Sequence, residues 1–434
     1  MRALLINPWV YDFKAFDFWN KPVGLLTVSS ILKKYGFDID FIDCMDRSSP
    51  FYKTPTRTDA FGRGKYVSEE IVKPKLFAKI PRRYKRYGMP LEVFSAVLKK
   101  IRTPDTIFVT SSMTYWYPGV FEAIRILKSN FPKTEIVLGG IYATLCEMHA
   151  GEHSGADRVL AGPAEASLPI YLREKGFTAA VDNGLTDIIP DFTLYNTLNY
   201  GIVLPSRGCP FSCTYCATHY LSPGFRVLPW SMIDDQMRCF SLRTKNIAFF
   251  DDALLCNNCF PEILGSVIKN NYRLQLHSSN GLHCRYIDEK IAGLMHQAGF
   301  KTMYLSLETT DPLAQRSTGG KVFTDEFLRA VDILTRSGFS RKAIRVYLLF
   351  GLPGQETEEI CEAIKFCREL GINPHLCEFS PIPHTAEYAK TGLAPDADPL
   401  YHNNYFYTWH LAYPDPEVYR TIKSLLGKSA LLDQ

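Results

Sequence analysis

Apolar and polar positions along the chain fall into two successive sets of alternating strand-like and helix-like stretches. In the first set, 2–8 (RALLINP) is a short apolar run stopped by a proline, as in a strand buried on both faces. Helical spacing follows from Lys21 to Gly36, with Leu25, Val28, Leu32 and Tyr35 on one face and the glycine as stop signal. Residues 37–43 (FDIDFID) alternate with period two. Further strands are expected at 106–111, 135–138 and 158–160, with a helix over 118–130 and another after Gly139-Gly140. Between about 46 and 90 the pattern loses period and is rich in Pro, Gly, Lys and Arg, so an insertion or long loop is expected there.

The second set begins at Gly201. Strands are expected at 201–206, 246–251, 275–281, 302–308, 343–350 and 374–380, separated by helix-patterned stretches such as 322–337 and 355–369. Strands alternating with helices imply parallel sheets. The predicted fold class is α/β: an N-terminal doubly wound, Rossmann-like domain over 1–165, a linker over 166–198, a partial six-unit (β/α)6 TIM-like barrel over 199–384 and a C-terminal tail over 385–434. Ligands of such sheets bind past the carboxyl ends of the strands. Candidate positions in the first domain are therefore Asn7, Ser111, Ser112, Tyr115, Gly139, Gly140, Gly162 and Glu165.

Composition narrows the class without setting the chemistry. The chain has 434 residues and a formal charge of +4, too weak a bias to argue for nucleic acid. Its strongest basic run, Lys79 to Arg86 (KIPRRYKR), reads as a solvated connecting segment, with an anion or nucleic-acid patch the alternative. The first residues do not resemble a signal peptide, and no run of about 18 apolar residues predicts a membrane span. A cytoplasmic location is expected, where the twelve cysteines should stay reduced.

Three of those cysteines crowd into eight residues. Cys209, Cys213 and Cys216 (RGCPFSCTYC) have the spacing C-x-x-x-C-x-x-C, in the loop after the first barrel strand. Thiolates suit iron–sulfur clusters or zinc. Three of them on one loop can hold three corners of a cubane and leave the fourth iron open to an amine and a carboxylate. Zinc would need a fourth ligand, which His219 is near enough in sequence to supply. Cys256 and Cys259 (CNNC) form a separate pair, read either as packing thiols or as a second cluster or redox dithiol.

Residues 200 to 384 resemble the radical S-adenosylmethionine (SAM) superfamily. The resemblance rests on the cysteine loop, with Tyr215 before the third cysteine, and on acidic Asp251 and Asp252 (FFDDALL) ending the second strand. It continues with Ser278 and Asn280 ending the third strand, Glu308 (SLETT) ending the fourth, Gly351 in GLPG after the fifth, and EFSPIPHT after the sixth. It implies a [4Fe–4S] cluster on the three cysteines and SAM bound by Tyr215, Asp251, Asp252, Ser278, Asn280, Glu308 and Gly351. One of the two aspartates is expected to touch SAM, with a helix cap the alternative for the other. Glu308 fits a ribose contact; a salt bridge to Arg345 is its structural alternative. The family's Gly-Gly-Glu after the second strand is replaced here by the acidic pair.

A doubly wound domain ahead of such a barrel resembles the cobalamin-binding branch of the superfamily, through NPW at 7–9, KPVGL at 21–25, GGIYAT at 139–144 and GPAEAS at 162–167. The resemblance implies cobalamin beside the strand ends named above, with the loop 111–117 beneath the corrin. No D-x-H-x-x-G occurs to supply a histidine to cobalt. The expected function is reductive cleavage of SAM to a 5′-deoxyadenosyl radical. That would serve cobalamin-dependent C-methylation or rearrangement, with flavodoxin or ferredoxin as electron donor. A methylthiotransferase is the alternative enzyme, although only Cys44 and Cys146 precede the barrel loop and that class needs a second cluster there. A non-catalytic iron–sulfur or zinc protein is the third reading.

Overall fold

The computed structural model describes residues 1–52, 56–177 and 187–426. The chain forms two compact units, Met1–Asn199 with Pro395–Tyr401, and Tyr200–Ala394 with the residues from His402 onward. Among the described residues, no helix is long and apolar enough to cross a membrane.

The first unit is built on a five-stranded parallel sheet. Its spatial order is Arg158–Val159, Glu135–Leu138, Thr106–Val109, Arg2–Asn7, Asp38–Asp43. Side chains alternate between two cores. Leu4, Ile6, Ile107, Val109, Ile136 and Leu138 enter one, while Ala3, Leu5, Phe108 and Val137 enter the other. Burial on both faces explains why these strands read as near-continuous apolar runs. The order reverses between Arg2–Asn7 and Thr106–Val109, and such a reversal opens a crevice at the carboxyl ends of the two strands.

Two expectations for this unit need correction. The stretch 46–90 is not a featureless loop. Ser68–Glu70 and Lys85–Tyr87 form an antiparallel sheet with Val10–Asp12, and Gly64–Lys65 pairs with Phe16–Asp17. Strands of two or three residues are too short to show a period. Arg86 and Arg83 of the basic run pair with Glu69 and Glu70 of the neighbouring strand. Residues 166–174 are not linker either. They belong to the helix Ala164–Glu174, whose Leu168, Tyr171 and Leu172 complete one core of the sheet. An internal Pro169 hid its period. Part of the remaining linker, 178–186, lies outside the described residues.

The second unit is a six-stranded parallel sheet whose spatial order follows the chain: Gly201–Val203, Asn246–Phe249, Gln275–Ser278, Phe300–Glu308, Ile344–Phe350 and Asn373–Glu378. Trp230–Ser241, Phe260–Lys269, Glu289–Ala298, Thr324–Arg336 and Thr357–Glu369 are the crossover helices. Among the described residues the first and sixth strands are not paired, so the barrel is open. The tail after it, Tyr407–Ala412, is a π-helical turn against the last two strands. There Thr408 Oγ1 donates to the Phe379 carbonyl and Trp409 Nε1 to Glu378 Oε1 at 2.5 Å.

Candidate active site

Directly after the first barrel strand the chain makes an antiparallel hairpin, Ser206–Gly208 against Phe225–Val227, and the three cysteines lie in its arch. Gly208 has φ +75°, and a Cβ there would stand 1.8 Å from the Gly224 carbonyl oxygen. Only glycine lets the two arms close this far. Cys209, Cys213 and Cys216 are all half-buried. Burial raises the Cys209 thiol to about 11 and raises Cys213 as well, with the Lys321 ammonium opposing the rise at Cys213. Among the described residues no three His, Cys, Asp or Glu side chains converge tightly enough to mark a metal site unaided. The donor set still fits a cubane better than zinc. His219 is exposed, and its Nε2 is engaged by the Phe211 carbonyl rather than turned toward the sulfurs.

The acidic pair divides its work. Asp251 is 4 % exposed and accepts from the Ser206 amide (2.8 Å), the Ser206 hydroxyl (2.7 Å) and the Ala253 amide (2.9 Å). It anchors the hairpin to the second strand and caps a turn, not a helix. Asp252 is exposed. It accepts from Asn280 Nδ2 at 3.1 Å and bonds Thr218, just beyond the cysteine loop. Desolvation, reinforced by the charge of Asp251, pushes its carboxyl up to about 6. The structure thus brings Asp252, Asn280 and the cysteine loop together. Ser278 is 1 % exposed, and its hydroxyl accepts from the Tyr304 amide inside the barrel.

Glu308 ends the fourth strand at a bulge, with φ +66°. Its Oε1 accepts from Lys321 Nζ at 3.3 Å, so the structural pair is with Lys321 and not with Arg345, which stands over the Tyr304 ring. Lys321 is a site residue that the strand pattern does not reveal. It lies in the loop after the strand, behind Gly319-Gly320, and its charge acts on Cys213, Cys216 and Asp252. A glycine pair ahead of a lysine was the available signal. Glu308 also lines a cavity at the barrel mouth with Thr318, Leu349, Gly354, Gln355 and Glu387. Tyr215 packs on the patch formed by Leu349, Phe379 and Tyr407, and the Gly351 amide donates to Gln355 Oε1 at 2.9 Å. Cys256 closes a short 3-10 turn and Cys259 precedes the helix Phe260–Lys269, with no third cysteine drawn to them among the described residues.

In the first unit, Ser111 ties the strand ends together. Its hydroxyl donates to the Gly139 carbonyl at 2.7 Å and accepts from the Ala143 amide at 3.2 Å. Gly140 has φ +96°, and a Cβ there would stand 2.3 Å from the Ser111 carbonyl oxygen. The Gly162 amide donates to Thr144 Oγ1, which in turn bonds the Gly140 carbonyl. Ser111, Gly139, Gly140 and Gly162 therefore form one contiguous rim. Asn7 sits across the switch point from it, donating to Asp43 Oδ1 at 2.6 Å in a buried group with Tyr195 and Lys21. Ser112 is half-buried and Glu165 lies in the first turn of its helix. Tyr115 is 4 % exposed and packs edge-on against Trp116, whose indole donates to Asp12. It is packed into the core of this unit.

Comparison with known proteins agrees with this arrangement. Residues 203–367 match the sequence model of the radical SAM superfamily. An uncharacterized methyltransferase of Pyrococcus horikoshii is 23% identical over 317 residues, which are 64% of this chain and 68% of that protein. The anaerobic magnesium-protoporphyrin IX monomethyl ester cyclase of Rubrivivax gelatinosus is 21% identical over 344 residues, 68% of this chain but only 60% of the cyclase. Among solved structures, the radical SAM methyltransferase TsrM of Kitasatospora setae, with tryptophan and a SAM analog bound, superposes with a TM-score of 0.65. It is 14% identical, and the match covers 90% of this chain and 75% of TsrM. OxsB, a cobalamin-dependent SAM radical enzyme solved with aqua-cobalamin and SAM, gives a TM-score of 0.57 at 12% identity, covering 92% of this chain and 56% of OxsB. At such identities the likeness establishes the fold: a sheet domain followed by an open barrel. With its cysteine loop at the barrel mouth, the segment 203–367 carries a radical SAM domain, and the chain is an enzyme.

Proposed function

We propose that the chain is a cobalamin-dependent radical SAM methyltransferase. One arrangement carries the radical SAM part: three cysteines in a hairpin arch, with the charge of Asp252 acting on Cys209 and those of Lys321 and Glu308 on Cys213. Cys209, Cys213 and Cys216 would hold the cluster. When bound, the cluster supplies the electron that cleaves the SAM carbon–sulfur bond. Asp252 would accept the SAM ammonium, Glu308 the ribose hydroxyls and Lys321 the carboxylate, since charge of the required sign stands at each position. Tyr215 and Gly351 would wall the remaining side. Low-lying apolar residues, Leu349 and Leu352, limit water beside the carboxylates. The electron donor would be a flavodoxin or ferredoxin.

Cobalamin is supported by the rim of Ser111, Gly139, Gly140 and Gly162 beside the sheet's switch point, where glycines let a large ring approach the backbone. The cobalamin bound to TsrM in a second structure and the aqua-cobalamin bound to OxsB point the same way. A second reading, radical ring closure or rearrangement, is favoured by the cyclase among the relatives.

The test is anaerobic reconstitution with iron, sulfide, hydroxocobalamin, SAM and a strong reductant. Iron content, corrin absorbance and 5′-deoxyadenosine or methyl transfer are then measured, with the triple Cys→Ala variant as control. Iron bound without any SAM turnover would reject the enzyme reading. Corrin left unbound would reject the methyltransferase while sparing the barrel chemistry.

A further inference from the structure

Thr214 stands between two of the three cysteines, and the barrel holds it from both sides. Its amide donates to the Thr318 carbonyl at 3.2 Å, from the loop after the fourth strand. On the other side its carbonyl accepts from the Glu387 amide at 3.1 Å, and its hydroxyl donates to Glu387 Oε1 at 2.7 Å. Glu387 belongs to the short helix Ala386–Lys390 after the sixth strand, and its side chain is 3% exposed. Lys390 Nζ donates to the same oxygen at 2.8 Å and neutralises the charge. A carboxylate is costly to bury without partners, and here its second partner is the half-buried hydroxyl of a residue flanked by Cys213.

We infer that Glu387 is a positioning residue for the iron–sulfur cluster: with Thr318 it forms a two-sided clamp on Thr214 that fixes the backbone carrying Cys213 and Cys216. The inference rests on the cluster reading given above. The geometry has a direct physical consequence. A loop of eight residues containing three ligands must keep its sulfurs in place while no ligand side chain completes the fourth corner, so loop rigidity has to come from outside the ligand set. The reciprocal pair of bonds between Glu387 and Thr214 provides it from the helix after the last strand, and the Thr318 carbonyl provides it from the loop after the fourth strand. Glu387 touches neither SAM nor iron in this role.

The full chain, reconstituted anaerobically with iron and sulfide alone, tests this. Iron per chain, the electron paramagnetic resonance spectrum of the reduced cluster and the rate of bleaching by a chelator are compared for wild type, Glu387→Ala, Glu387→Gln and Thr214→Val. Thermal unfolding of the iron-free forms is measured beside them. Wild type should hold a full cluster. Glu387→Ala and Thr214→Val should each bleach roughly tenfold faster, the factor expected for one lost hydrogen bond, with a broadened spectrum and a thermal midpoint close to wild type. Glu387→Gln keeps an acceptor for Thr214 and should restore the wild-type spectrum. Equal bleaching and identical spectra in all four would overturn the clamp. If Glu387→Ala alone does not fold, the near-isosteric Thr214→Val decides by the same readouts. A wild-type chain that takes up no cluster refutes the cluster reading and the clamp with it, a result distinguishable from a stable cluster that ignores both substitutions.

Discussion

Glu308 and Lys321 meet at 3.3 Å across the loop that follows the fourth barrel strand, each side chain less than one-fifth exposed. Neither charge is stable in that setting alone. Breaking a pair of this kind from one side leaves the other charge poorly solvated. Both groups are also the ones assigned to SAM, so their mutual bond holds each near its working position before SAM arrives.

Lys321→Ala should therefore weaken SAM binding by about 2 kcal/mol or more, the range for a lost charge-assisted contact. Glu308→Gln should weaken binding less, because an amide can still meet a hydroxyl. Equilibrium binding of SAM to the anaerobically reconstituted enzyme checks both. Equal affinity in wild type and Lys321→Ala would remove Lys321 from the site.

The carboxyl of Asp252 is pushed up to about 6 from the 3.8 of an ordinary aspartate. Below about pH 4 it is protonated in folded and unfolded chains alike. Between these values the folded chain keeps a proton the unfolded chain has released, so this group's contribution to stability falls as pH rises through that window. The form that attracts an ammonium appears only above about 6. SAM affinity should accordingly climb between about pH 5 and about pH 7 and then level off. Asp252→Asn should bind SAM more weakly with that climb removed. A wild-type affinity that is flat over this range would contradict the assignment.

At Gly208, alanine should disrupt the cysteine arch. The new Cβ would collide with the Gly224 carbonyl, and φ +75° disfavours any side chain. A destabilisation of at least about 2 kcal/mol is expected, together with loss of bound iron. Denaturant unfolding and iron analysis measure the two effects separately.

Gly140→Ala makes the corresponding test in the first unit, where the added carbon would meet the Ser111 carbonyl at 2.3 Å. Corrin binding should fall while the cluster's iron and its absorption persist. Corrin retained at wild-type affinity would move the cobalamin site away from this rim.

Much of the fold was legible from apolar runs, because strands buried on both faces announce themselves as Leu4–Leu5–Ile6 and Ile107–Phe108–Val109 do. Strands such as Gly64–Lys65 and Ser68–Glu70 were not legible, since pairing of two or three residues leaves no period. Within the site, thiol spacing and the strand-end carboxylates marked positions by residue type. Partner choice was hidden. Which aspartate faces the opening, and that Glu308 meets Lys321 and not Arg345, depends on where loops return in space. Glu387 lay beyond reach for the same reason, being 173 residues from the threonine it holds.

The left-handed backbone at Glu308 has an energetic consequence. Holding a side chain in that conformation costs about 1–2 kcal/mol relative to glycine. Glycine would relieve that strain but would strand the Lys321 ammonium, so the ion pair and the backbone pull this position in opposite directions. On the role proposed for Glu308, a barrel relaxed at this point would lose its hold on the ribose along with the strain.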